Sequence, residues 1–260
     1  MVERRAGRTA CKILQNRQIA DGIFELVLQW PKILHRPTAG QFVNLYCSHQ
    51  DRLLPRPISV CEIDGDKLHL VYAVLGKGTA EFTTFQAGGM VDLLGPFGNG
   101  FSLEGKPGRA LLVSGGVGTP PMVELAKQLK VRGWNIDVVC GFRSQSYLVE
   151  QLSRYGTVHI ATDSGAEGFS GNVIELLDQE ALNGEALFAC GPGPMLKGVQ
   201  AWAKTKGIPA QLSLEERMGC GFGACVGCVT KIAADNESGF IYKKVCKDGP
   251  VFPAAEVLFP

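Results

Sequence analysis

Gly219-Cys220-Gly221-Phe222-Gly223-Ala224-Cys225-Val226-Gly227-Cys228 sets three cysteines in a C-x4-C-x2-C array, and Cys246 follows eighteen positions after the last of them. In plant-type [2Fe-2S] spacing one tight loop supplies three thiolates and a remote cysteine completes the second iron. Gly219, Gly221, Gly223 and Gly227 let the backbone curl around such a centre and aim N–H groups at its sulfurs, which offsets its negative charge. The rival reading is a structural zinc ion held by the same four residues, a site that more often shows two C-x2-C knuckles. Under either reading Cys220, Cys225, Cys228 and Cys246 are the metal ligands; the remaining alternative is four unligated buried thiols.

From Glu215 onward the chain is rich in Gly and Cys and has too few periodic apolar residues for a core of its own. It needs a metal centre or its neighbours to fold. Upstream, compact apolar runs at 110–114, 137–142, 158–162, 187–189 and 211–214 alternate with helical patterns at 121–131 and 195–206, which predicts a doubly wound α/β domain. Ser114-Gly115-Gly116-Val117-Gly118-Thr119-Pro120-Pro121 stands where a buried strand turns into a helix. Gly115, Gly116, Gly118 and Thr119 are therefore candidates to hold a dinucleotide pyrophosphate, with the helix N-terminus supplying free N–H groups. The turn is not the strict G-x-G-x-x-G, so a purely structural glycine turn is the alternative. A second turn, Cys190-Gly191-Pro192-Gly193-Pro194, falls on the same C-terminal edge of the sheet, where ligands bind. Cys190 is read there as lying near the reactive end of the dinucleotide, or else as a buried cysteine that ends a strand.

The first hundred residues read differently. Short β runs at 11–15, 23–29, 41–47, 58–63, 68–74 and 90–94, broken by turn residues, predict a small antiparallel barrel with one helix at 79–85. Within it, Arg56-Pro57-Ile58-Ser59 offers a cation to clamp a diphosphate and a hydroxyl for a flavin ring edge. Gly76-Lys77-Gly78-Thr79, just before the helix, offers N–H donors to the same phosphates. The whole is a multidomain α+β chain: a barrel at 1–104, an α/β domain at 105–210 and a cluster domain at 211–260.

Composition agrees with this. The 260 residues are 45% hydrophobic and 20% charged, so the chain is globular and too apolar for disorder. A net charge of +1 gives no global field to hold a polyanion, which excludes nucleic acid as the expected partner. No run approaches the roughly 20 apolar residues of a membrane helix, and the polar start lacks a signal-peptide core, so a cytoplasmic location is expected. Arg4, Arg5 and Arg8 read as a solvated terminus. In a reducing compartment nine cysteines point to metal or redox chemistry rather than staples. Cys11, Cys47, Cys61 and Cys140 read as small core residues. His35, His49, His69 and His159 show no ligand spacing.

Arg-x-x-Ser in a barrel, a glycine turn in an α/β domain and a later Cys-Gly-Pro together resemble the ferredoxin-NADP reductase superfamily. The run from Ser213 to Cys228, Lys243-Lys244-Val245-Cys246-Lys247-Asp248-Gly249-Pro250 and Leu94-Gly95-Pro96-Phe97-Gly98-Asn99-Gly100-Phe101 narrow this to the electron transfer subunits of type B dihydroorotate dehydrogenase. That resemblance implies FAD at Arg56, Pro57, Ile58, Ser59, Gly78 and Thr79, with Val71, Tyr72 and Ala73 also touching it. It also implies NAD on the glycine turns and a partner subunit carrying FMN, two copies of each chain forming a heterotetramer. Electrons from dihydroorotate would pass through the partner's FMN, the [2Fe-2S] cluster and FAD to NAD+ in pyrimidine biosynthesis. No general acid or base of this chain is then required. The cluster loop and part of the barrel rim would face the partner. Arg143, after the second α/β strand, leaves NADP open as the alternative dinucleotide. Two other readings remain: a subunit of a ferredoxin:NADP oxidoreductase or sulfide dehydrogenase, in some of which one cluster ligand is acidic, and a zinc-stapled nucleotide-binding regulator.

Overall fold

The structure is a computed structural model that describes residues 7–32, 34–49 and 52–260. Arg4 and Arg5 lie outside the described residues, whereas Arg8 is paired with Asp92 at 2.7 Å.

Six antiparallel strands close the N-terminal barrel: β1 (Gly7–Ala20), β2 (Ile23–Gln29), β3 (Phe42–Leu45), β4 (Arg56–Asp64), β5 (Lys67–Ala73) and β6 (Met90–Phe97), in the order β1-β2-β5-β4-β3-β6. Closure leaves no exposed sheet edge. The inward positions of the alternating runs, among them Leu26, Leu28, Leu45, Val60, Leu68, Leu70 and Leu93, are fully buried. Helix α1 (Lys77–Phe82) begins two residues before the expected start and ends three before the expected end. The extended Gly76 caps it, and Thr79 Oγ1 accepts from the N–H groups of Leu75 and Gly76 at 2.9 and 3.2 Å. Phe85 falls beyond the helix yet still packs on Phe82, with ring centroids 5.2 Å apart.

The α/β sheet contains β7 (Arg109–Gly115), β8 (Asn135–Phe142), β9 (Thr157–Thr162), β10 (Phe169–Ser170), β11 (Ala186–Cys190) and β12 (Ala210–Ser213), all parallel. Helices α2 (Pro120–Val131), α3 (Val149–Ser153), α4 (Val173–Gln179) and α5 (Gly193–Lys206) connect them. Leu111, Leu112, Val113, Val138 and Val139 are fully buried, as strands covered on both faces require. After β7 the chain builds outward through β8, β9 and β10, then returns to place β11 on the other side of β7. That reversal makes the C-terminal ends of β7 and β11 the switch point of the sheet, where ligands bind.

The remaining segment forms a two-stranded hairpin, β13 (Val229–Ala233) with β14 (Phe240–Lys244), and a short β15 (Val251–Pro253) that runs antiparallel to β12 at the edge of the large sheet. A two-stranded hairpin is marginal alone. Cys228, Ile232, Val245, Cys246 and Phe252 instead join the core formed by Leu212, Val199 and Trp202 of the α/β domain. The barrel is tied to this segment through Asn99, whose N–H donates to Gly249 O at 2.6 Å and whose Nδ2 donates to Asp248 O at 3.0 Å. Among the described residues no helix is long and apolar enough to cross a membrane.

Candidate functional site

Three stations lie along the seam where barrel, sheet and C-terminal segment meet. At the first, the start of β4 and the start of α1 come together. Arg56 lies directly against Gly78: any Cβ at 78 would overlap its guanidinium. The guanidinium also donates to the Leu54 carbonyl. The two short motifs thus form one cationic corner with main-chain N–H groups beside it, a diphosphate's requirement. Pro57, Ile58 and Ser59 follow along β4, opposite Asn44, Val43 and Phe42 of β3. Of the β5 residues, Val71 and Tyr72 are buried and Ala73 is half-buried. Tyr72 is committed to the barrel core: it stacks on Phe24, meets Phe82 edge-on, and its hydroxyl donates to Asn16 Oδ1 at 3.2 Å. Burial pushes that phenol up to about 12.

The second station is the switch point. Gly115 ends β7, Gly116 adopts φ +52, and Gly116–Gly118 make one tight turn before Thr119. This turn packs on the one after β11. A Cβ at Gly118 would overlap the Cys190 carbonyl, and Cβ atoms at Gly115 and Gly191 would stand 2.6 and 2.5 Å from Sδ and Cε of Met195. Gly118 is thus required by the contact between the two turns, while Gly115 and Gly191 make room for the Met195 side chain. Thr119 is fully buried, and its hydroxyl pairs with Ser114 Oγ at 3.1 Å, which in turn donates to Cys140 Sγ at 3.3 Å. Thr119 therefore shapes the turn from beneath. The expectation that α2 offers free N–H groups is corrected at its first turn. Pro120 and Pro121 have none, and the N–H of Met122 is bonded to Thr119 O at 3.0 Å. Main-chain donors to a phosphate therefore come from the Gly116–Gly118 turn. Cys190, half-buried, faces Ser213 across the β11–β12 pair, and burial pushes its thiol up to about 12. Pro192 caps α5.

The third station is the cysteine loop. Cys220 and Cys225 are half-buried, while Cys228 and Cys246 are buried. Burial pushes the Cys220 thiol up, but N–H groups of Cys225, Phe222 and Ala224 outweigh it and bring the thiol down to about 6. The Cys225 N–H lies 3.3 Å from that sulfur. Cys246 adjoins Cys228 and the Gly223 N–H; burial and the neighbouring Cys228 push its thiol up to about 12. Cys225 stands beside Cys220 and Cys228 beside Cys246, and main-chain N–H groups are aimed at the Cys220 and Cys246 sulfurs, a donor chemistry suited to an iron–sulfur centre. Among the described residues no three such side chains converge closely enough to hold a metal ion as they stand. Lys244 Nζ holds the loop by donating to Gly223 O at 2.7 Å.

The loop touches the barrel. Phe222 lies 6.2 Å from Phe97 of β6, and Asn44 Nδ2 of β3 donates to Cys220 O at 3.1 Å. Sequence reading passed over Asn44 and Met195. The one available signal was a lone Asn within the otherwise apolar Phe42-Val43-Asn44-Leu45 strand. The other cysteines lie in packing positions: Cys11, Cys61 and Cys140 are buried, and Cys47 sits 3.9 Å from Gly78 O. His69 and His159 pair with Glu25 and Asp137 at 3.0 and 3.2 Å.

Comparison with known proteins agrees with this layout. Residues 215–258 match the model of the iron–sulfur cluster binding domain of dihydroorotate dehydrogenase B, which favours the iron–sulfur reading over zinc. The dihydroorotate dehydrogenase B (NAD(+)) electron transfer subunit of Geobacillus thermodenitrificans is 44% identical over 259 residues, covering 97% of this chain and 99% of the relative. The subunit of the same name from Bacillus caldolyticus is 42% identical with the same coverage. A solved structure of NADH-dependent reduced ferredoxin-NADP oxidoreductase, studied for flavin-based electron bifurcation, superposes with a TM-score of 0.85 at 28% identity, covering 95% of this chain and 89% of that one. With near-full-length identity above 40%, a matching cluster domain and the barrel-plus-sheet fold, the chain belongs to the family of dihydroorotate dehydrogenase B (NAD(+)) electron transfer subunits.

Proposed function

We propose that this chain is the half of a dihydroorotate-oxidising complex that carries electrons from an FMN-containing catalytic subunit to NAD+. It holds a [2Fe-2S] cluster on Cys220, Cys225, Cys228 and Cys246. FAD is held at Arg56–Ser59, Gly78 and Thr79, and NAD at Gly115, Gly116, Gly118, Cys190, Gly191 and Pro192, on a turn that Thr119 supports from beneath. Its three units span 1–104, 105–210 and 211–260, and two copies pair with two catalytic subunits in the cytoplasm. The observation that carries this reading is the seam between the cysteine loop and the barrel: Phe222 meets Phe97 on β6, β6 pairs with β3, and β3 pairs with Arg56–Ser59. When bound, FAD exchanges electron pairs with nicotinamide and single electrons with the cluster.

The residues of this chain position rather than react. Arg56 neutralises a diphosphate, and Gly78 keeps the guanidinium against the start of α1. The rigid pair of turns at the switch point holds a dinucleotide at the C-terminal edge of the sheet. Backbone N–H groups around Cys220 offset negative charge on a thiolate. Phe222, Val226, Ile241 and Tyr242 are large apolar side chains left exposed on the C-terminal segment, with Val226 at 71%, and such exposure supports docking of a partner subunit there.

The test is to co-express the chain with the catalytic subunit and add dihydroorotate and NAD+. Orotate and NADH should appear together, with visible bands of flavin and [2Fe-2S] bleaching in turn. A preference for NADP+, which Arg143 would then explain, or a requirement for reduced ferredoxin would overturn the assignment. The likeness to the ferredoxin-NADP oxidoreductase keeps that second outcome worth measuring, and the all-cysteine ligand set stands against it.

A further inference from the structure

Asn44 is fully buried in β3, between Val43 and Leu45, which are fully buried as well. A carboxamide in such a place is costly unless both its ends are bonded. Here Nδ2 donates to Cys220 O at 3.1 Å, while Oδ1 is buried with no hydrogen-bond partner among the described residues. A leucine would fill the same space without that cost, so what the amide gains is its hold on the Cys220 carbonyl. The far side of the same peptide is shaped to match. Gly221 adopts φ +72, and a Cβ there would stand 2.5 Å from Asn44 Nδ2 and 2.6 Å from Oδ1. Only glycine combines that backbone with so close an approach.

We infer that Asn44 is a positioning residue that sets the first cluster ligand in register with the flavin barrel. In a trans peptide the C=O and the following N–H point opposite ways. Gripping the Cys220 carbonyl toward the barrel therefore turns the Gly221 N–H away from it and fixes where the next residues begin. From that start the Cys225 N–H reaches Cys220 Sγ at 3.3 Å. Such hydrogen bonds to a ligand sulfur raise a cluster's reduction potential and strengthen its binding. On its other side Asn44 is opposite Pro57 in the β3–β4 pair, within the Arg56–Ser59 stretch. One side chain thus joins the strand beside the flavin motif to the main chain of a cluster ligand. The inference rests on the [2Fe-2S] reading of the four cysteines.

The test uses the full chain purified with its cofactors, alone and in complex with the catalytic subunit. Asn44→Leu is compared with wild type and with Val43→Ala, a neighbouring barrel-core substitution that leaves the carboxamide in place. Cluster g-values and midpoint potential are read by electron paramagnetic resonance during redox titration, iron loss to a chelator is timed, and FAD content is read by absorption. Asn44→Leu should retain FAD, shift the g-values, lower the cluster potential and speed iron loss about tenfold or more, the scale for removing an outer-shell partner. Val43→Ala should change none of the cluster readings. Unchanged cluster readings in Asn44→Leu, or equal shifts in both variants, would overturn the inference. Absence of the [2Fe-2S] signal from wild-type protein would instead overturn the functional reading beneath it.

Discussion

The switch point and the cysteine loop are both glycine-rich turns that present backbone to a cofactor, yet they are held by opposite means. At the switch point three glycines are pressed by protein, Gly118 by the Cys190 carbonyl and Gly115 and Gly191 by Met195, and a fourth, Gly116, is fixed by its positive φ, with the Ser114–Thr119–Cys140 chain of polar groups beneath. Its shape is complete before any ligand arrives. The cysteine loop is gripped at Asn44, Phe97 and Lys244, and only its buried flank, Cys228, Val245 and Cys246, joins a core shared with the neighbouring domain. A turn locked by its own fold costs little to organise on binding; a loop closed by its metal makes folding and ligation one event.

Removing a ligand should break that contrast open. Cys228→Ser exchanges a buried thiolate donor for a hydroxyl and should abolish the visible and paramagnetic signals of the cluster. Dihydroorotate-driven NADH formation should fall by more than the roughly 10–100-fold that loss of an outer-shell partner costs. Hydrogen exchange should rise across 215–249 and stay low in β7, β8 and β11. NADH oxidation with a two-electron dye should persist. If β7 and β11 open as well, the two regions are not independent. Arg56→Ala should act on neither region. Losing a charge-assisted contact worth about 1.5–3 kcal/mol, it should weaken FAD retention by roughly 10–100-fold in a dilution or gel-filtration assay.

Gly118→Ala probes the locked side. The added methyl must part the two turns, an overpacking cost of about 1–3 kcal/mol that thermal unfolding would register. The KM for NADH should rise while the cluster spectrum stays as in wild type. A shifted cluster spectrum would show that strain at the switch point reaches the loop through β12 and the segment that follows it.

What the sequence revealed follows the same division. The four cysteines were legible because three of them lie within one short run at plant-type spacing, and the barrel because its alternating strands are punctuated by turn glycines such as Gly22 and Gly65. The switch-point glycines were visible as a turn, but not the close approach at Gly115, Gly118 and Gly191, since Cys190 and Met195 meet them only through the sheet's reversal. The contact of Asn44 with Cys220 spans 176 positions and carries no local pattern. The return of β15 to the sheet edge is three residues long, too short for any periodicity to announce it. The start of α1 at Lys77, two residues before the expected 79, is set by Gly76 and Thr79.

Thr119→Val should have the smallest effect and bears most directly on what the locked turn requires. Valine keeps the volume and branching of threonine and removes the hydroxyl. Ser114 loses one neighbour but keeps its contact with Cys140 Sγ, so no lone polar group is stranded. The cost should stay near a single neutral hydrogen bond, about 0.5–1.5 kcal/mol in denaturant unfolding. Because Thr119 is fully buried and acts from below the turn, the KM for NADH should hold within about twofold while stability falls. A large rise in KM at unchanged stability would mean that the hydroxyl reaches the dinucleotide itself, and the turn would then be completed by its ligand, as the cysteine loop is by its metal.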